Sequence, residues 1–431
     1  MSNAINNKPG YAWLILIGCC CAEAGAFAAV INLISVYALP IIKTTGFGAG
    51  DYMFFMTLYG IMAVIALPVM GNLMQKKNFN VVTTVAALVI VLSLLMLSMS
   101  ADKPLPWFWF WGALLAWGVS PIFAVMVPTL MGNWFSAKCR GRYLGIATAF
   151  TGVGTFVWAP LFTAIIQNLG WETSYVINAA LVAVLTLPFT IFIFKLKPSD
   201  KGLLPYGYDE TVDSGDAQKA AKGSMTTGQA MKTLAFWLCA LVILAFSFGN
   251  GYQTNMVAIC TTQTAGVIDP AEAAVIGGWM VSIAAVGNII SKILFGVLND
   301  KVGLKATFAS FIVITFIGYA LWIIYPNAPL LIIGAFLFGM HNAIVSVGFP
   351  LLVRAAFGDK DFAPILSSLM VFNSLAGAIT STVAAYFFQL TGSYVAWIIV
   401  GMVMCVIAMI CFFSIMSIQK KRNDAKATAS V

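Results

Sequence analysis

The sequence predicts an all-α membrane protein with twelve transmembrane helices in two six-helix bundles. Of its 431 residues, 61% are hydrophobic and only 9% are charged, whereas a soluble domain carries about 25% charged residues. A helix that crosses a bilayer needs roughly 20 mostly apolar residues, and the chain contains about twelve such runs. The runs lack the alternating pattern of an outer-membrane barrel, so they predict helices.

Six of the apolar runs precede one long polar segment, and six follow it. The first run is too long for a cleaved signal peptide and has no clear small-residue cleavage site, so we expect it to be the first span. In chain order the runs, called spans 1 to 12, are centred near Ala26, Met62, Val89, Leu115, Thr155, Val184, Val242, Ala284, Ile314, Leu337, Ala376 and Met404.

The long polar segment predicts the domain organisation. Its proline, glycine and acidic residues are typical of a solvated linker. We therefore expect an N-terminal six-helix bundle at residues 1–196, a cytoplasmic linker at 197–232, a C-terminal six-helix bundle at 233–418 and a cytoplasmic tail at 419–431.

The net charge of +8 comes from basic residues in alternate loops. The outer loops hold only Lys43 and Lys103, and nearly all other Lys and Arg residues lie in the inner loops or the termini. The insertion machinery and anionic inner-leaflet lipid favour this asymmetry. We therefore expect a monomer in the lipid bilayer of a bacterial cytoplasmic membrane, with both termini cytoplasmic and with no nucleic-acid partner.

The sequence shows no pattern of an enzyme, a metal centre or a nucleotide-driven pump. Seven of the eight cysteines lie in apolar runs, where they are typical small packing residues. The chain lacks the G-x-x-x-x-G-K-[ST] loop and any catalytic triad. We therefore expect no enzymatic activity, no cofactor, no metal and no ATP-driven transport.

Three ionisable side chains lie deep inside apolar runs: Glu23, Lys292 and His341. A charge at bilayer depth costs roughly 2.5–3.5 kcal/mol on insertion scales. Such residues usually face a water-filled cavity or a partner, so they mark a transport path.

Lys292 lies eight residues before Asp300, about 12 Å from the inner end of its helix. Asn288 is one turn earlier on the same face. Snorkelling of the lysine to the interface is the alternative, but its stem reaches about half that distance. The position predicts a substrate or counter-ion role for Lys292, with Asn288 beside it.

Glu23 lies near the expected middle of span 1, among small residues that permit close helix contact. A carboxyl group at this depth can carry a proton in coupled transport. The alternative is a protonated acid that makes a structural hydrogen bond. We expect Glu23 to couple transport to protons.

Other polar residues at membrane depth are candidate cavity-lining groups. His341 is the one histidine and titrates near neutral pH in water, but a neutral membrane histidine can equally bond between helices. Span 7 contains Asn250, Tyr252 and Gln253 beside two glycines, a pattern that favours a loosened helix with polar groups toward a cavity. Ordinary glycine packing is the alternative there.

Two loops and a weak repeat carry a family pattern. The end of span 8 contains Gly296, Leu298, Asp300, Lys301, Gly303 and Lys305, and a segment around Arg140 follows span 4. Phe150, Gln167 and Gly170 align with Phe372, Gln389 and Gly392 at one constant offset, as a duplicated six-helix unit would.

These residues resemble the G-x-L-x-D-[KR]-x-G-x-[KR] loop and the span-4 loop of the major facilitator superfamily. In the first half, Gln75 stands where the loop's acid is expected. The linker start at residues 197–207 resembles that of bacterial members near the oxalate/formate exchangers and monocarboxylate porters. The resemblance implies the major facilitator fold, with Gly296, Asp300, Lys301, Gly303 and Arg140 in the signature loops that gate transport.

In that subgroup a basic residue of span 8 binds the substrate carboxylate, and the matching position is Lys292. The oxalate exchangers also carry a lysine in span 11, where Asn373 stands in this chain. The resemblance therefore implies a secondary active transporter of a small organic anion, most specifically a monocarboxylate, by proton symport or anion exchange with alternating access. The alternatives are transport of amphipathic acids or drug-like anions, and a non-transporting membrane receptor.

The loop asymmetry predicts that Asn168 and Ser214 lie on opposite sides of the membrane. Single cysteines at these two positions, in a cysteine-free background, should label oppositely with an impermeant thiol reagent, because Asn168 lies in an outer loop and Ser214 in the cytoplasmic linker. Labelling of the Ser214 site from outside intact cells would contradict this topology.

Overall fold

A computed structural model of the chain describes residues 10–47, 49–76, 78–208, 224–324 and 327–428. The labelling position Ser214 lies outside the described residues, as do residues 209–223 of the expected linker and 429–431 of the expected tail. The described part is built of helices, and the β pairing recorded in it is one isolated bridge between Phe135 and Tyr206.

Twelve spans are present in the described ranges, as the sequence predicts. Ten helical stretches there are long and apolar enough to cross a membrane, and the one at Arg140–Ile193 contains two spans. Gly170, with φ 80° and ψ 163°, breaks it, because only a residue without a side chain adopts this backbone easily. The helix Phe362–Thr391, which includes a shorter apolar stretch, is span 11.

The chain forms two compact units, the first of Met1–Gly215 with Leu366–Val371 and the second of Asp216–Ile365 with Phe372–Val431. In unit 1, span 1 comprises Gly10–Ala22, a π-helical segment Glu23–Asn32 and Ile34–Thr45. Span 2 is Ala49–Lys76, span 3 is Phe79–Ser98, and span 4 comprises Leu105–Leu114, Ala116–Pro121, the π-helical Ile122–Met126 and Val127–Trp134. Spans 5 and 6 make up Arg140–Pro188, and the π-helical Phe189–Ile193 ends span 6.

The second group of spans follows a short helix at Thr227–Met231. Span 7 comprises Leu234–Ser247, Gly249–Thr254 and Met256–Gln263, and span 8 is Pro270–Val302. Span 9 is Leu304–Ile324, and span 10 comprises Ala328–Gly339, the π-helical Ile344–Gly348 and Phe349–Phe357. Span 12 is Val395–Thr428, so residues 419–428 of the expected tail are helical.

Small residues set the helix packing of unit 1. A methyl group on Gly154 of span 5 would lie 2.8 Å from Ala24 Cα, and one on Gly25 would lie 3.1 Å from Leu185 Cβ of span 6. In an apolar bilayer, helices associate through van der Waals packing, which such small residues permit at short range. Span 1 therefore packs closely against spans 5 and 6 around the turn that carries Glu23.

Spans 8 and 10 pack just as closely in unit 2. A methyl group on Gly339 would overlap the Ala284 carbonyl oxygen, and one on Gly287 would overlap the Phe336 carbonyl oxygen. Both collisions are with main chain, so no side-chain rotation relieves them. This contact fixes the spacing of the two helices that carry Lys292 and His341.

We predict that Gly339→Ala destabilises the protein by about 1–3 kcal/mol, the usual cost of overpacking a well-packed interior. The measurement is the thermal unfolding midpoint of detergent-purified protein. Gly278→Ala is the matched control, because a methyl group there meets no atom within 4 Å and alanine favours a helix by about 0.5–1 kcal/mol. An unchanged midpoint for the Gly339 variant would contradict the close approach of spans 8 and 10.

Candidate functional site

Lys292 is buried in unit 2, with 4% of its surface exposed. It lies on span 8, which is one continuous helix from Pro270 to Val302. The carbonyls of this helix are used in its own hydrogen bonds, so the helix by itself does not neutralise the ammonium group. Buried ionisable residues inside membrane spans are candidates for a functional site.

Asn288 lies one helix turn before Lys292, on the same face. Its Oδ1 atom is buried, and within the described part of the chain no hydrogen-bond donor reaches it. Most buried polar atoms in proteins have such a partner. Span 8 therefore presents a cation and a hydrogen-bond acceptor side by side.

His341 is buried at the break in span 10, directly after the helix that ends at Gly339. Its Nδ1 atom lies 2.7 Å from the Phe338 carbonyl oxygen, and the Phe338 ring lies 4.5 Å from the imidazole. Because a carbonyl only accepts, we assign the proton of the neutral ring to Nδ1. The Nε2 atom then carries a lone pair.

Gly249 of span 7 makes room for this histidine. A methyl group on Gly249 would overlap the Nε2 side of the His341 ring. Lys292 is near enough to His341 for their charges to interact. In unit 2, Lys292 thus lies within electrostatic range of His341, and Asn288 is one turn from the lysine.

Span 7 is interrupted on both sides of Gly249–Thr254. The Asn250 and Gln253 side chains are exposed, whereas Tyr252 is fully buried. The Tyr252 hydroxyl donates a hydrogen bond to the Trp397 carbonyl oxygen at 2.6 Å, and the two rings stack at 5.1 Å. Tyr252 therefore faces the interior of unit 2, unlike the other two polar residues predicted with it, and its hydroxyl proton is already in use.

Asn373 of span 11 is half-buried and is held to span 7. The Ser247 hydroxyl donates to Asn373 Oδ1 at 2.6 Å. The Asn373 amide is neutral, and its oxygen is occupied by this bond. The side chain of Asn373 therefore bonds to span 7. Lys292, Asn288 and His341 lie on spans 8 and 10 instead.

Glu23 is almost fully buried in unit 1, with 1% exposure, and it begins the π-helical segment of span 1. Two side chains that the sequence did not single out hold this segment. Trp158 Nε1 donates to the Ala24 carbonyl oxygen at 2.9 Å, and Asn178 Nδ2 donates to the Ala29 carbonyl oxygen at 2.7 Å. In the sequence, the signal for this contact was Asn178, a polar residue inside the apolar run of span 6. π-Helical turns are frequent at functional sites.

The signature residues lie mostly in helix rather than in a loop. Gly296, Asp300 and Lys301 belong to the last turns of span 8, and Arg140 begins the helix of span 5. Gly303 makes the turn to span 9 with φ 84°, and its N–H donates to the Asn299 carbonyl oxygen at 2.9 Å. A side chain at this φ would be strained, which explains the glycine.

Comparisons with known proteins agree with this architecture. The Arabidopsis thaliana putative glycerol-3-phosphate transporter 1 is 24% identical over 263 residues, which are 54% of this chain and 47% of that protein. Rattus norvegicus monocarboxylate transporter 12 is 23% identical over 304 residues, which are 65% of this chain and 60% of that protein. The chain thus aligns with about half to three fifths of these relatives' lengths.

The crystal structure of the E. coli fucose:proton symporter matches with a TM-score of 0.68 at 16% identity, over 95% of this chain and 99% of that one. At this identity the likeness concerns the fold. The family model of the Major Facilitator Superfamily matches residues 16–267 and 268–430, nearly the whole length. With this family match and with twelve spans in the described residues, the chain belongs to the Major Facilitator Superfamily of secondary transporters.

Proposed function

We propose that this transporter moves a small organic anion of the monocarboxylate class, by proton symport or anion exchange with alternating access. The observation that carries the proposal is the buried Lys292 on a continuous helix, one turn after Asn288. A buried cation is costly unless an anion compensates it. In this proposal a substrate carboxylate contributes such an anion when it binds.

The spans around Lys292 favour one carboxylate over two. Asn373, at the position where the exchangers have a second lysine, has its oxygen occupied by Ser247. Arg354, at the cytoplasmic end of span 10, forms an ion pair with Asp359 at 2.6 Å and lies over the Phe362 ring. Neither residue offers a second cation to the substrate, and a dicarboxylate would bring an extra charge to a buried site.

Glu23 is the proposed proton carrier. Its carboxyl group is buried at bilayer depth on a π-helical turn that Trp158 and Asn178 hold in place. A carboxyl group takes up or releases a proton when its environment and its access to water change, and alternating access supplies such a change. The signature residues Arg140, Asp300 and Lys301, at helix ends, are proposed to act in gating.

Lys292→Gln should abolish binding of small monocarboxylates, because the glutamine amide is polar but carries no charge. Lys292→Arg should retain part of the binding, since the charge survives with altered geometry. The measurement is the ligand-induced rise in thermal unfolding midpoint, which reports binding to the folded state. The exposed Lys103→Gln serves as the control for a lost positive charge. Near-normal binding by Lys292→Gln would remove Lys292 from the site.

Glu23→Gln should uncouple transport from protons. Glutamine mimics the protonated acid in shape, so the variant in proteoliposomes should still exchange labelled substrate across the membrane. It should lose substrate accumulation driven by an imposed pH gradient, because the glutamine side chain cannot take up and release a proton during the transport cycle. Glu272→Gln, at an exposed site, controls for the loss of an acidic residue. Gradient-driven accumulation by the Glu23 variant would exclude Glu23 as the coupling group and make His341 the next candidate.

A further inference from the structure

We propose that the site around Lys292 in unit 2 recognises, by hydrogen bonds, a hydroxyl group close to the substrate's anionic group. Hydroxylated monocarboxylates would then bind more tightly than the same acids without the hydroxyl group. The inference rests on the proposed role of Lys292 as the anion anchor. It assigns the hydroxyl to two hydrogen-bond acceptors, Asn288 Oδ1 and His341 Nε2.

The first acceptor is identified by its burial. Asn288 Oδ1 is enclosed, and no donor in the described part of the chain bonds to it. A buried acceptor left without a hydrogen bond costs about 1–3 kcal/mol. A plain carboxylate does not remove this cost, because its oxygens are acceptors too. A hydroxyl group has the missing hydrogen.

The second acceptor follows from the hydrogen bond on the far side of the imidazole. The Phe338 carbonyl oxygen takes the Nδ1 proton at 2.7 Å, which leaves the lone pair on Nε2. His341 and Lys292 are near neighbours electrostatically. Spans 8 and 10 pack closely at Gly287 and Gly339. One acceptor therefore lies on the helix of Lys292, and the other lies on the adjacent helix.

The three groups define the chemistry of the ligand. Lys292 donates to an anion, whereas Asn288 and His341 accept from a donor. A hydroxycarboxylate offers both groups within a few bonds, and an unsubstituted acid offers only the first. A polar site that is built to bind a hydroxyl discriminates strongly against the analogue that lacks it, because the acceptor then stays buried and unpaired.

The test compares pairs of acids that differ by one hydroxyl: acetate with glycolate, and propionate with 3-hydroxypropionate. We expect the wild-type protein, purified in detergent, to bind the hydroxylated member about tenfold or more tightly in calorimetric titrations. In Asn288→Leu the ratio within each pair should fall toward one, because leucine has no acceptor for the hydroxyl group. His341→Phe should lower the ratio as well.

The ratio of two affinities in one protein sample does not depend on how much of that sample is folded. The ratio can therefore still be measured for a partly unfolded variant. Asn168→Leu, which removes an exposed amide at the end of span 5, should leave the ratio unchanged.

Two results would overturn the inference, and they differ in what they say of Lys292. Equal binding of both members by the wild-type protein, lost in Lys292→Gln, would refute hydroxyl recognition and leave the anion anchor standing. It would also indicate that the Asn288 amide turns its donor group toward the carboxylate. Binding of neither member, or binding that survives Lys292→Gln, would refute the proposed function together with the inference. A wild-type preference that persists unchanged in Asn288→Leu and His341→Phe would refute these two acceptors.

Discussion

The fold depends on one constraint: inside a bilayer, a polar group must find its partner within the protein, because lipid offers none. Helices satisfy the main chain in this way over nearly the whole described chain. The same constraint governs the side chains that interrupt the apolar runs. Tyr252 donates to the Trp397 carbonyl oxygen, and Ser247 donates to Asn373. Asn288 Oδ1, in contrast, is buried and has no hydrogen-bond donor among the described residues.

The constraint also explains how the π-helical segments are held. A π-helical turn departs from the regular α-helical bonding pattern, so its carbonyls are available to other donors. In span 1 the Trp158 and Asn178 side chains supply these donors. In span 6 the Tyr11 hydroxyl donates to Ile193 at 2.5 Å, and Asn80 donates to Thr190 at 2.9 Å. Side chains from neighbouring spans thus stabilise irregular backbone that a lone helix in lipid would not keep.

The internal repeat is visible in backbone shape as well as in sequence. Spans 4 and 10 each contain a five-residue π-helical segment, Ile122–Met126 and Ile344–Gly348, and each segment is followed two residues later by a proline, Pro128 and Pro350. These positions are separated by the same offset that relates Phe150 to Phe372. A proline has no N–H to donate, so it weakens the preceding turn in both halves alike. The two copies have kept this irregularity although most of their side chains differ.

Hydrophobic runs by themselves determined the class of protein and the number of spans, because the length of an apolar helix must match the bilayer. The depth of Glu23, Lys292 and His341 was readable for the same reason. The apolar runs did not show in which direction each of these side chains points around its helix. Only the tertiary structure decided that Tyr252 faces the interior of its unit, that Gly249 accommodates the His341 ring, and that Trp158 and Asn178 hold the turn of Glu23. These contacts join spans that are far apart in the chain, and a periodic pattern records burial within one helix but not the identity of the neighbour across it.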